Sequence, residues 1–303
     1  MRCIKAMPPA VLTALLLALP MQAEEPYRDA GISAFAFLKI GVGARASALG
    51  GTGSVNGGSL SLFGNPAGMA SMEASSFTAG YNSWLGSTSQ TYASSAFRSG
   101  PVMWGAGISM LGSGDLERRE GATTDPLGTF ASHEMTFNAA GALRLGRFDL
   151  GLGAKMIYQR IWLRSCTGFA LDGGVVYRPA DSLRLAAVLA NIGPEVTMTD
   201  ESHRLPWAWK TGGRWAFALR GLDMAVSAEA RKYIDSRLSW GAGAEFSPTG
   251  WAHLRGGWMF EDESRSLTAG LGLRGMGWGL DYSYVPADFA LGDSHTITLS
   301  RRL

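Results

Sequence analysis

The stretch RFDLGLGAKMIYQ, residues 147–159, decides the fold. Phe148, Leu150, Leu152, Ala154, Met156 and Tyr158 take every second position, with Asp149, Gly151, Gly153, Lys155 and Gln159 between them. Successive side chains of a β-strand point to opposite faces, so these residues spell a strand with one apolar face and one polar or glycine face. Ile157 is the single exception to the alternation.

The same period recurs along the chain. In GLDMAVSAEAR (221–231), Leu222, Met224, Val226 and Ala228 oppose Asp223, Ser227, Glu229 and Arg231. In RLSWGAGAEF (237–246), Trp240, Ala244 and Phe246 oppose Gly241, Gly243 and Glu245, and in GMGWGLDYSY (275–284) Met276, Trp278, Leu280 and Tyr282 oppose Gly277, Gly279 and Asp281. In LPWAWKTGGRWAF (205–217), Trp207, Trp209, Trp215 and Phe217 oppose Lys210 and Arg214. A soluble β-sandwich also alternates, but glycine and isolated charges would make a poor sandwich core. The apolar faces are aromatic, with Trp84, Trp162, Trp207 and Trp251 near strand ends, as the girdles of a membrane barrel require. The reading is all-β: a transmembrane barrel of about fourteen antiparallel strands.

Composition and export agree with that reading. Residues 10–19 (AVLTALLLAL) follow Arg2 and Lys5, and the run of ten suits a signal-peptide core while falling short of a membrane-spanning helix. Cleavage after Ala23 is expected, so residues 1–23 are read as the signal peptide. Removing Arg2 and Lys5 from the 27 basic residues leaves basic and acidic counts equal at 25, which offers nothing to nucleic acid. Cys166 alone survives cleavage, and no intrachain disulfide can form.

Strand starts are expected near residues 76, 88, 102, 133, 147, 167, 182, 205, 221, 237, 251, 266, 275 and 293. Tight turns near residues 100, 146, 180, 220, 249 and 275 alternate with longer segments at 111–132, 192–204, 260–265 and 286–292. Short periplasmic turns alternating with longer outer loops mark outer-membrane barrels. Residues 76–303 are assigned to the barrel, which places the protein in the outer membrane, in contact with its lipid.

Residues 24–75 precede the first strand and are expected to start at the periplasmic mouth. They contain FLKIGVGARASALGG (37–51) and LFGNPAGMA (62–70), too apolar for an exposed linker and too rich in glycine for a stable helix. A barrel of fourteen strands is too wide for its own side chains to fill, so this segment is read as a plug. Gly105, Gly151, Gly153, Gly241, Gly243, Gly277 and Gly279 on the lumen faces would let its backbone come close.

These two stretches resemble the amino-terminal signature of the PorV/PorQ family of outer-membrane proteins, relatives of the FadL-type long-chain fatty-acid channels. The resemblance covers Phe37–Ala70 and aligns Asn65, Pro66 and Ala67 with the family's Asn-Pro-Ala plug motif. It implies two activities. One is an accessory role in type IX secretion, with secretion components and exported cargo proteins as partners and the outer segment 111–132 as the working surface. The other is passive uptake of a hydrophobic small molecule through the lumen.

Other chemistries find little support. The Ser-His dipeptides at 132–133, 202–203 and 294–295 point to opposite strand faces, and His253 stands beside Arg255 without an evident partner. No His-x-x-x-His or CxxC occurs, and GVGARA (41–46) lacks the preceding strand of a dinucleotide site. No catalytic, cofactor or metal residues are assigned. Lys155, Arg214, Glu229, Arg231, Glu245, Arg255 and Asp281 are expected to face the lumen and to pair, holding plug and wall together. Lys39 and Arg45 are candidate plug partners for lumen carboxylates.

Overall fold

The computed structural model of the chain describes residues 29–198, 201–262, 264–289 and 291–303. The expected signal peptide, 1–23, lies outside the described residues. Sixteen strands occur among the described residues: β1 (Ser76–Ser83), β2 (Thr88–Ser99), β3 (Val102–Arg118), β4 (Gly128–Leu145), β5 (Phe148–Ile161), β6 (Arg164–Ala180), β7 (Leu183–Ile192), β8 (Val196–Thr197), β9 (Ser202–His203), β10 (Ala208–Leu219), β11 (Leu222–Tyr233), β12 (Ser239–Thr249), β13 (Ala252–Phe260), β14 (Leu267–Gly275), β15 (Trp278–Val285) and β16 (Ser294–Arg302). Fourteen of them close into one antiparallel barrel, while β8 and β9 form a small hairpin in the connection between β7 and β10. Closure is made by β1 against β16, in register from Ser76 opposite Arg302 to Ser83 opposite His295. No helix is long and apolar enough to cross a membrane.

Neighbouring strands hydrogen-bond all round, which satisfies every ladder without an edge and is the condition for β-structure in lipid. The outward face carries the large apolar side chains. Leu152, Phe169, Leu189, Trp215, Leu254 and Leu271 are all exposed, Leu152 by 74%. A soluble surface does not carry such a continuous apolar belt. Arg118 stacks over Trp162 at 4.9 Å and Arg265 over Trp84 at 4.4 Å at one end of the barrel, and Arg301 over Trp278 at 5.0 Å at the other. Rings with one apolar and one cationic neighbour suit the two membrane–water interfaces.

Several boundaries differ from the sequence reading. Most of 111–132 is strand, because β3 and β4 run on as a hairpin and leave only 119–127 as loop. Polar residues in 111–132 masked that extension, since a ribbon projecting past the membrane needs no apolar face. The eighth barrel strand starts at Ala208 rather than at 205. Met276 belongs to the turn after β14, with φ 51°, and not to the outward face of β15. Both chain-proximal strand ends, Ser76 and Arg302, lie at the end with the short turns, hereafter the turn end; the opposite rim is the loop end.

Residues 29–75 occupy the lumen as four short helical turns: 3-10 helices Ala36–Lys39, Ser59–Phe63 and Pro66–Ser71, and the α-helix Ala44–Ala48. The expectation that this segment starts at the turn-end mouth is corrected. Its first described residues dock at the loop end, where Ala34 N donates to Arg204 O at 2.9 Å, and the chain then descends to Ser75, whose carbonyl accepts from Leu303 N. The cause is an apolar cluster that is long-range in sequence. Phe35 and Phe37 pack against Leu111, Ile157, Ala170, Val196 and Leu205. Ile157, the one break in the alternation of β5, points inward to meet them and is fully buried.

Candidate functional site

The Asn-Pro-Ala turn is built from local hydrogen bonding. Asn65 is the N-cap of the helix Pro66–Ser71, and its Oδ1 accepts from Ala67 N at 3.1 Å. Pro66 occupies the first helical position, where its missing N–H costs nothing. The Asn65 Nδ2 donates to Ser54 O at 2.7 Å, tying this turn to the preceding one. Asn65, Pro66 and Ala67 are all buried against β5 and β6.

Glycines of the wall make room for it. A Cβ at Gly151 would overlap the backbone of Pro66–Ala67, and one at Gly174 would overlap Asn65 Oδ1. On the opposite wall Leu49 and Gly50 lie against Gly241, Gly243 and Gly257, where a Cβ at 243 would stand 2.7 Å from Leu49 Cα. Gly50 and Gly51 have φ 68° and 75°, a left-handed pair that only glycine adopts without strain, and this bend lays the backbone on β12 and β13. Gly105 meets Met69 in the same manner. Gly153 touches Pro66 only at ordinary contact distance, while Gly277 and Gly279 face Arg301, Arg274 and Ser300 instead of the lumen segment. These last two were expected beside it and are not.

Side chains of the wall fasten the segment from β11 to β16. Glu229 accepts from the backbone N–H groups of Gly53 at 2.9 Å and Ser54 at 2.7 Å. Arg231 donates to Gly51 O and Gly50 O, both at 3.2 Å. Thr268 Oγ1 accepts from Gly50 N and donates to Ala48 O, each at 3.0 Å. Thr298 Oγ1 accepts from Ala44 N at 3.0 Å.

Each of the charges expected to face the lumen does contact a partner there. Glu245 is contacted by Arg45 at 2.9 Å, Arg214 at 2.9 Å and Arg255 at 2.7 Å. Arg255 also reaches Asp281 at 2.7 Å, which pairs in turn with Arg274 at 2.7 Å. Lys155 stands apart, bound to Asp172 at 2.7 Å and to Asn191 Oδ1 at 2.8 Å. Lys39 pairs with Asp235 at 2.6 Å at the loop end. The segment thus contributes Lys39 and Arg45, but Glu229 and Arg231 hold it through its backbone rather than through its charges.

Sequence reasoning missed Asp172, Asp149, Asp235 and Arg274. Asp149 pairs with Arg144 at 2.7 Å and Arg178 at 3.2 Å. Its place on the polar face of β5 was a legible signal. Asp235 lies in a connection, where alternation gives no direction. His253 also differs from expectation: it has a partner, Ser247 Oγ, 2.7 Å from its Nδ1. No carboxylate holds the imidazole's other nitrogen among the described residues, so this pair lacks the third group of a hydrolytic triad. Among the described residues no three His, Cys, Asp or Glu side chains are grouped to hold a metal.

Between the segment and the barrel wall, from β10 round to β16 and β1, lies a cavity of about 1190 Å³. Trp84, Glu261 and Phe289 border it at the loop end, and Arg274, Ser300 and Gly58 towards the turn end. Leu38, Ile40, Val42, Met259 and Val285 give it an apolar side, and Arg45, Asp281, Lys210 and Glu229 a charged one.

A closed barrel of fourteen strands with a segment folded inside its lumen is the architecture of outer-membrane channels of the FadL type. Solved structures agree. The chain matches the toluene transporter TbuX of Ralstonia pickettii at TM-score 0.61 and 15% identity, over 87% of this chain and 98% of that one. It matches the toluene transporter TodX of P. putida at TM-score 0.63 and 12% identity, over 87% and 99%. A FadL homologue of Pseudomonas aeruginosa matches at TM-score 0.56 and 12% identity, over 86% and 97%. At such identities the likeness establishes the fold. No family model matches the sequence, and no curated protein matches it.

Proposed function

We propose that this protein is an outer-membrane channel for passive uptake of a hydrophobic small molecule, with residues 24–75 as the plug and Asn65–Ala67 as its seat. The cavity carries this reading. It is open beside the loops, partly apolar, large enough for a small ligand and bounded by a segment that is held in the lumen by discrete ties. The names of the structural relatives, transporters of toluene and a FadL homologue, support it. In this reading the turn end faces the periplasm, the apolar belt meets outer-membrane lipid, and the lumen ion pairs fix the plug.

The PorV/PorQ resemblance of Phe37–Ala70 carries the other reading, delivery of exported proteins in type IX secretion. That role would use 111–132, most of which is the projecting β3–β4 ribbon, as its outer surface. None of the structural relatives above is a secretion protein, so the channel reading takes precedence.

The test is uptake of radiolabelled toluene and oleate by cells of a host that lacks such a channel, with and without the full chain. Faster uptake of either compound is expected with the chain. Equal rates for both would remove the channel reading.

A further inference from the structure

We infer that the cavity is also an aqueous passage selective for small inorganic anions, with Arg45 and Arg274 setting the preference. The first support is its reach. Along β16 the lining runs from Ser294 at the loop end to Ser300, and Arg302 is the last paired residue of that strand. Two strand residues span roughly 7 Å, so the cavity stops within that distance of the turn-end rim. On β14 and β15 it is bordered by Arg274, Asp281 and Val285, and on the lumen segment by residues from Leu38 to Gly64.

The second support is charge. Towards the turn end the cavity is lined by Arg45, Arg274 and Asp281, which belong to a network, reaching into the adjoining wall, where four guanidinium groups share two carboxylates. Arg45, Arg214 and Arg255 meet at Glu245, and Arg255 and Arg274 meet at Asp281. Among these six described side chains, between 1% and 33% exposed, the positive charges outnumber the negative by two. Charge left uncompensated in a confined, partly desolvated space must be met by mobile counter-ions. Ser47, Thr298 and Ser300 add hydroxyl groups along the same path. A narrow pore rimmed by arginine passes anions and repels cations.

The passage is independent of the hydrophobic-uptake reading. A chain that carries neither toluene nor oleate can still conduct, and a chain that carries both can be closed to ions. The experiment is reconstitution of the full chain in planar bilayers with potassium chloride at unequal concentrations on the two sides, reading the reversal potential. The wild type is expected to conduct with chloride preferred over potassium. Arg274→Gln is expected to lower the chloride-to-potassium permeability ratio by about twofold or more, since one charge bordering the cavity is removed. Arg45→Gln keeps hydrogen-bonding capacity towards Glu245 and is the second variant, expected to act in the same direction. Arg119→Gln, in the loop 119–127, is expected to leave the ratio unchanged. Barrels that are folded by gel mobility yet show no ion conductance, or a preference for potassium, overturn the inference. So does a chloride preference that both lumen variants leave intact.

Discussion

Gly174 of β6 lies directly against the side chain of Asn65, and a Cβ at position 174 would overlap the amide oxygen that caps the helix Pro66–Ser71. The wall is therefore cut to the shape of the Asn-Pro-Ala turn. Gly174→Ala is expected to push the turn off β6, at a cost of about 1–3 kcal/mol for an overpacked contact. Hydrogen exchange of the Ala67 and Gly68 amides checks this. Exchange as slow as in the wild type would show that the seat has slack.

Glu229 holds two backbone amides of the lumen segment with one carboxylate oxygen. Glu229→Ala removes both partners at once. An unsatisfied buried N–H costs about 1–3 kcal/mol, so exchange at Gly53 and Ser54 is expected to accelerate by at least about tenfold. Glu229→Gln retains an acceptor and is expected to keep most of the protection.

Arg45 shares Glu245 with Arg214 and Arg255, and the carboxylate keeps two partners when Arg45 is lost. Arg45→Ala is thus expected to leave the wall intact while loosening the segment around Ala44–Ala48. The readout is total ion conductance in planar bilayers, expected to rise. Conductance equal to the wild type would mean that the backbone ties alone hold the plug.

Lys155 and Asp172 are 5% and 3% exposed, and Asn191 completes their hydrogen bonding. Removing one partner of a buried pair costs about 3–5 kcal/mol, because the other charge stays behind. Lys155→Met is expected to lower the urea midpoint of the barrel by that measure. Combining it with Asp172→Leu is expected to recover most of the loss, and a double variant as weak as the single one would contradict the explanation.

Phe35 anchors the loop end of the segment and is 1% exposed. Phe35→Ala is expected to cost about 3 kcal/mol there, seen as faster exchange of the amides at 36–40. Exchange at Ala67 should not change, because the two docking sites are separate clusters.

The wall was legible from residues 147–159 outward because lipid imposes one rule on every strand. Fourteen closing strands follow from alternation and turn length, and the inward charges from the same parity. Ile157 looked like noise within β5. Its reason lies at Phe35 and Phe37, more than a hundred positions away, where no local pattern reaches. For the same reason the sequence could not place the start of the lumen segment at the loop end, which depends on the contact of Ala34 with Arg204. Glycine on an inward face marked close approach correctly at 151, 241 and 243. At 277 and 279 the same residue type serves a turn and an arginine neighbour, and composition alone does not separate the two uses.

The seam between β1 and β16 has a consequence for biogenesis. The lumen segment runs straight into β1, whose second neighbour is the final strand of the chain. The segment is therefore translated before the wall that encloses it is closed by β16. Until β16 zips onto β1, the segment has a lateral way out; afterwards only the two rims remain. Assembly must wrap the sheet around a segment already in place, or feed that segment lengthwise into a finished cylinder.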